Sequence, residues 1–139
     1  MSKKWIVALI ILIVVLVGAV AYLNLLKHVK NRLTMRQNGS TVIVKPGDKI
    51  VILLDGNITT GYSWEVGTID ETFLKQYGEP TYREKYNPRG LEGVPGKFEF
   101  TFEALRIGKT SLRLIYQQPF EKDVEPEKTF TITVDISKP

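Results

Sequence analysis

The chain is 139 residues long, with 19 Lys and Arg against 15 Asp and Glu, one His and no Cys. That length holds one domain of ordinary size, and the lack of Cys excludes disulfides, a thiol nucleophile, thiolate metal sites and a lipid-modified N-terminal cysteine. The basic balance does not describe the folded part: Lys3, Lys4, Lys27, Lys30 and Arg32 flank one hydrophobic stretch, and from residue 34 onward 14 basic residues meet 15 acidic ones, a net of −1.

A nucleic-acid binder carries its positive charge on the folded surface, where phosphate contacts supply most of the affinity. Here the excess sits at the flanks of the hydrophobic stretch, so nucleic acid is not expected as a partner. That stretch, Trp5 to Leu26, is 22 residues without a charge. As a helix it reaches about 33 Å, enough for a bilayer core. Two readings fit it. Lys3 and Lys4 can head a signal peptide with an apolar region from Trp5 to Val17 and a cleavage site at Ala19-Val20-Ala21. Alternatively the segment continues uncleaved through Leu26 as a signal anchor, which its length favours. Basic residues at both ends leave the orientation open. The expected division is an N-terminal anchor with its basic flank at 1–33 and a folded domain at 34–139, on the extracytoplasmic side of the membrane or, after cleavage near Ala21, secreted.

Along the domain, Thr41-Val-Ile-Val-Lys45 and Lys49-Ile-Val-Ile-Leu-Leu54 are β-branched runs around the turn signal Pro46-Gly47-Asp48. They read as strand, turn, strand. Ser63-Trp-Glu-Val66 reads as a short third strand. The stretch from Asp70 to Tyr86 is equivocal: Ile69, Phe73 and Tyr77 fit helical turns, and Thr81-Tyr82-Arg83 fits an edge strand. Asn87 to Gly96, with three Gly and two Pro in ten residues, is a loop. Beyond it Phe98, Phe100 and Phe102 alternate with Glu99, Thr101 and Glu103, giving one apolar and one wet face. Ile107-Gly108-Lys109 turns the chain into a strand with Leu112 and Leu114. The last strand puts Phe130, Ile132, Val134 and Ile136 on one face. Six or seven short strands between turn signals predict an all-β, antiparallel sandwich.

Chemistry in such a frame sits in its end loops. His28, the one His, lies beside the hydrophobic stretch, so the domain can build neither a His-based triad nor a His metal site; Asp70 and Glu71 read as a turn cap. No enzyme, cofactor or metal is expected. Three loops are unlike plain connections. In Asn57-Ile-Thr-Thr-Gly-Tyr62, Gly61 can take a positive φ and leave two small hydroxyl residues at the tip, with Tyr62 and Trp64 bracing from below. Gly90-Leu-Glu-Gly93-Val-Pro-Gly96 is long and has little to bury. In Tyr116-Gln-Gln-Pro-Phe120, Pro119 stiffens a turn that presents Phe120, as aromatic binding anchors are presented.

Taken in order, these loops resemble the chagasin family of cysteine-protease inhibitors. That family has an Asn-Pro-Thr-Thr-Gly-Tyr loop before a strand with Trp, a Gly-rich loop and an Arg-Pro-Trp loop; the counterparts are Asn57 to Tyr62, Gly93-Val94-Pro95-Gly96 and Gln118-Pro119-Phe120. Lys97 to Ala104 and Glu125 to Phe130 resemble the bracketing strands, and the likeness spans about residues 38–136. It implies an immunoglobulin-like sandwich, monomeric, that plugs the cleft of papain-like cysteine proteases reversibly and without covalent chemistry. Thr59, Thr60 and Gly61 would approach the catalytic Cys of the protease, and the other two loops would grip the cleft walls. Ile58 for Pro, Pro95 for Gly, Gln118 for Arg and Phe120 for Trp depart from the family pattern. They imply a looser first loop, a stiffer second one and a lost cation. The competing reading is a non-inhibitory surface or adhesion module with the same fold. Asn38-Gly-Ser40 and Asn57-Ile-Thr59 match the N-glycosylation pattern; an inhibitor should leave Asn57 bare.

Overall fold

The computed structural model describes residues 1–27 and 30–138. Among the described residues one α-helix, α1 (Lys3–Lys27), precedes nine strands: β1 (Lys30–Leu33), β2 (Thr41–Val44), β3 (Lys49–Gly56), β4 (Ser63–Thr68), β5 (Leu74–Gln76), β6 (Thr81–Glu84), β7 (Gly96–Ala104), β8 (Gly108–Gln117) and β9 (Lys128–Ile136). The aliphatic side chains of α1, described through Asn24, are exposed all round. A helix apolar on every side and packed on no protein is suited to lipid.

The strands form two sheets, ordered β1-β3-β7-β5 and β2-β9-β8-β4, with β6 also on β7. β5 and β6 lie end to end along one edge of β7. The long central pairs, β3 with β7 and β8 with β9, are antiparallel, whereas the short edge strands β1 and β2 run parallel to β3 and β9. The all-β sandwich read from the alternation is present, but two edge pairings make its sheets mixed.

The alternation works because the period of a strand is two. Ile50, Ile52 and Leu54 of β3 and Phe98, Phe100 and Phe102 of β7 face Leu112, Leu114 and Tyr116 of β8 and Phe130, Ile132, Val134 and Ile136 of β9 across one core. Pro46-Gly47-Asp48 does not close a hairpin. It carries the chain from one sheet to the other, and Asp48 secures the turn by accepting the Lys45 N–H at 2.9 Å. The equivocal stretch resolves into edge strands. Asp70 caps a turn through the Thr72 N–H at 2.9 Å, Ile69 and Phe73 pack on the core, and Tyr77 lies outside with the Lys49 Nζ 3.8 Å from its ring centre.

The expected boundary at residue 34 falls inside the fold. β1 pairs Leu33 with Ile52, and Leu33 is buried in the core. The run Lys-Asn-Arg-Leu carries no strand periodicity, so only tertiary pairing reveals it. Leu33→Ala should therefore cost about 2–5 kcal/mol, read from urea unfolding of the full chain in detergent by near-ultraviolet circular dichroism. An unchanged midpoint would show β1 to be dispensable.

Candidate functional site

Strand register decides which loops meet. β3 ends and β7 begins at the pair Gly56–Gly96, and β6 ends at Glu84 beside the same Gly96. In the other sheet β4 begins at Ser63 opposite Gln117, the end of β8, and Tyr116 lies opposite Lys128, the start of β9. The connections β3–β4, β6–β7 and β8–β9 thus leave the same pole of the sandwich. They are the three loops singled out in the sequence.

The first loop is a closed 3₁₀ turn, Ile58–Thr60. Asn57 caps it: its Oδ1 accepts the Thr59 N–H at 3.0 Å and the Thr59 hydroxyl at 2.6 Å. The Asn57 carbonyl accepts the Thr60 hydroxyl at 2.6 Å. Gly61, at φ 80°, ends the turn and donates its N–H to the Ile58 carbonyl at 3.2 Å. That left-handed conformation is costly for any side chain. Thr59, Thr60 and Gly61 stand exposed, and Ile58 is about half-exposed at 48%.

The same Asn57 ties the loops together. Its Nδ2 donates to the Gly93 carbonyl of the second loop at 2.9 Å, and its backbone N–H donates to the Tyr116 hydroxyl at 3.0 Å. Tyr116 is buried at the end of β8. Its ring stacks on Tyr62 at 5.5 Å and meets Trp64 at 5.2 Å, while Trp64 Nε1 donates to the Asp55 carbonyl at 3.0 Å. Lys128 Nζ lies 5.2 Å from the centre of the Tyr116 ring. Tyr62 and Trp64 are thus braces under the loop, Tyr62 half-buried and Trp64 buried.

In the second loop Asn87 holds a local turn, donating to the Leu91 carbonyl at 2.7 Å and accepting the Leu91 N–H at 3.0 Å. Val94 is half-buried, and Gly93 and Pro95 are exposed. Gly96 is not at the surface. A Cβ there would lie 2.5 Å from the Arg83 carbonyl oxygen and from the Tyr82 ring, so Gly96 serves close packing at the loop's base. In the third loop Gln118 is half-buried and its carbonyl accepts the Glu121 N–H at 3.0 Å. Pro119 is exposed, and Phe120 is 92% exposed. Between the loops runs a shallow depression lined by Asn57, Thr60, Tyr62, Pro95, Tyr116 and Lys128, among others. Among the described residues no three acidic, His or Cys side chains group as a metal site.

The family Chagasin family peptidase inhibitor I42 matches residues 43–134, a span that contains all three loops. The chain belongs to the chagasin family. It is 32% identical to Amoebiasin-2 of Entamoeba histolytica over 104 residues, covering 75% of this chain and 83% of that one. It is 28% identical to Chagasin of Trypanosoma cruzi over 106 residues, covering 73% and 94%. Among solved structures, the cysteine protease inhibitor EhICP2 from Entamoeba histolytica superposes with a TM-score of 0.69 at 29% identity, covering 78% of this chain and 96% of that one. Members of the family are protease inhibitors, which are not enzymes, and the sandwich is the chagasin immunoglobulin-like fold.

Against the family pattern, Ile58 does not leave the first turn open, since side-chain and backbone bonds of Asn57 close it without a proline. Two contributors were not evident beforehand. Tyr116 sits in phase with Leu112 and Leu114, which signals a core position, and a buried tyrosine rather than phenylalanine signals a hydroxyl with a partner. The Asn57–Gly93 bond joins residues 36 apart and had no sequence signal. Asn57→Asp keeps the cap acceptor but loses the donor to Gly93, whereas Asn57→Ala loses both. Asn57→Ala should cost about 1 kcal/mol for the cap alone and speed amide exchange at Thr59. Asn57→Asp should spare Thr59 while loosening the second loop. Equal exchange at Thr59 in both variants would disprove the capping role.

Proposed function

We propose that the chain is a reversible, non-covalent inhibitor of papain-like cysteine proteases, with the three loops filling the active-site cleft as one wedge. The reading rests on one observation in a member of this inhibitor family: the three loops share a pole, where Asn57 bonds the first loop to the second and to Tyr116 of β8, the strand that leads into the third. Thr59, Thr60 and Gly61 enter the cleft toward the protease cysteine. Val94 and Pro95 line one wall, and Phe120, supported by Pro119 and Gln118, anchors the other. Gly93 and Asn57 hold the loops in register, Tyr62 braces the tip, and Gly96 fixes the base.

Blocking requires no reaction. The carbonyls of Asn57 and Ile58 are turned into the loop's own hydrogen bonds, so the tip offers the protease no extended strand with a free scissile carbonyl. A turn already closed also loses little entropy on association. A glycan on Asn57 would displace an Nδ2 hydrogen and crowd the Gly93 bond, so Asn57 acts unmodified.

The full chain in detergent micelles should inhibit papain competitively against a fluorogenic peptide, with activity returning on dilution. Phe120→Ala should weaken inhibition by about tenfold or more, the effect expected of an aromatic anchor, with the fold unchanged because Phe120 is exposed. Gln118→Arg should tighten it. Full papain activity at saturating protein would refute the inhibitor reading and leave a non-inhibitory binding module.

In the same proposal α1 stays in the membrane as an anchor, with the sandwich beyond it on the extracytoplasmic side as a monomer. N-terminal sequencing of protein from cell membranes should read a start upstream of Trp5. A start at Tyr22 would mean cleavage after Ala21 and a secreted domain.

A further inference from the structure

The pole opposite the loops has its own chemistry. β1 begins at Lys30, paired with Lys49 at the start of β3, whereas the loops leave from Gly56 at its end. The helix α1 ends at Lys27, three Cα steps before Lys30, a distance of at most about 11 Å. The sandwich is thus held by the end farthest from its loops.

That end exposes an apolar pair. Leu105 and Ile107, on the β7–β8 turn, are 41% and 52% exposed, with Arg106 exposed between them. Exposed Lys45 and Lys138 are neighbours: Gly47 donates to the Ala104 carbonyl at 2.8 Å, and Ser137 to the Val44 carbonyl at 2.9 Å. Lys109 is occupied by Asp135 at 3.4 Å. Asp70 and Glu71, on the β4–β5 connection that also reaches this pole, are its exposed acidic groups. At the loop pole, by contrast, Glu121, Asp123, Glu125 and Glu127 outnumber Lys122 along one connection.

We infer that the β7–β8 turn, with Lys45, Arg106 and Lys138, rests on the anionic headgroup surface of the membrane that holds α1. Leu105 and Ile107 dip into the interface, and the three loops face away from the bilayer. The inference rests on the reading of α1 as a retained anchor. Apolar side chains flanked by cations are the composition that binds an anionic interface, and the acidic connection at the far pole is repelled by it. β3 alone, at about 3.3 Å per residue over its eight residues, lifts the loops by about 26 Å. The wedge is then open to a protease arriving from the aqueous side.

The chain has no Cys, so single cysteines carry a fluorophore without removing others. Full-length Leu12→Cys, Ile107→Cys and Phe120→Cys would each be labelled and placed in vesicles of phosphatidylcholine with phosphatidylglycerol. The label at 107 should be quenched by lipid spin-labelled at the headgroup, and the label at 120 by aqueous iodide only. Arg106→Glu with Lys138→Glu should release the label at 107. Equal iodide access at 107 in vesicles and in detergent would overturn the proposal, as would lipid quenching at 120. The label at 12 should be quenched by lipid brominated deep in the chain; its failure brings down the anchor reading, and this one with it. Papain inhibition does not enter the readout, so the two functional readings fail separately.

Discussion

The hydrogen bonds of Asn57 are the constraint on which the site depends. One residue caps the first loop through Oδ1, reaches the second through Nδ2, and fixes its own backbone to Tyr116. Tyr116 in turn lies one residue before the end of the strand that leads into the third loop. Without those bonds, three connections from two sheets would share a pole but not a shape. Each bond is worth on the order of 1 kcal/mol net, small against the core. Its consequence is conformational, because it selects one arrangement of loops that bury almost nothing themselves.

The frame below supplies the rest of the precision. Phe98 lies against Gly56, where an added Cβ would fall 2.7 Å from the ring, and Tyr82 fills the space over Gly96. These glycines face one another in register at the root of the first two loops. Their absent side chains let the Tyr82, Phe98 and Tyr116 rings close the sandwich directly under the loop pole. The Tyr82 and Phe98 rings are 4.8 Å apart, so rigidity below is transmitted to turns that lack a core of their own.

The sequence revealed most where side chains report burial directly. Phe98, Phe100, Phe102 and Phe130, Ile132, Val134, Ile136 alternate without interruption, and each is buried as the alternation requires. The order of three loops, with Gly61 at φ 80° closing the first, carried the family. What stayed hidden depends on partners distant in the chain. β1 is four mostly polar residues whose strand character comes from pairing with β3. The turn at Pro46-Gly47-Asp48 has hairpin chemistry, yet the flanking runs join opposite sheets, β2 at an edge beside β9 and β3 between β1 and β7. Parallel pairing of both edges follows from those crossings and cannot be read from local pattern.

The molecule is polar along its strands, and the polarity follows from where β1 enters. A strand parallel to β3 and starting beside Lys49 must bring the preceding chain to the pole away from Gly56. Had β1 run antiparallel, the chain from α1 would have entered at the loop pole, and an anchor there would have set Phe120 against the bilayer. One pairing choice at a sheet edge therefore decides at which pole of the sandwich the chain from α1 arrives. The parallel edge, the least legible element in the sequence, is the one that would make the proposed N-terminal anchor compatible with loops exposed at the far pole.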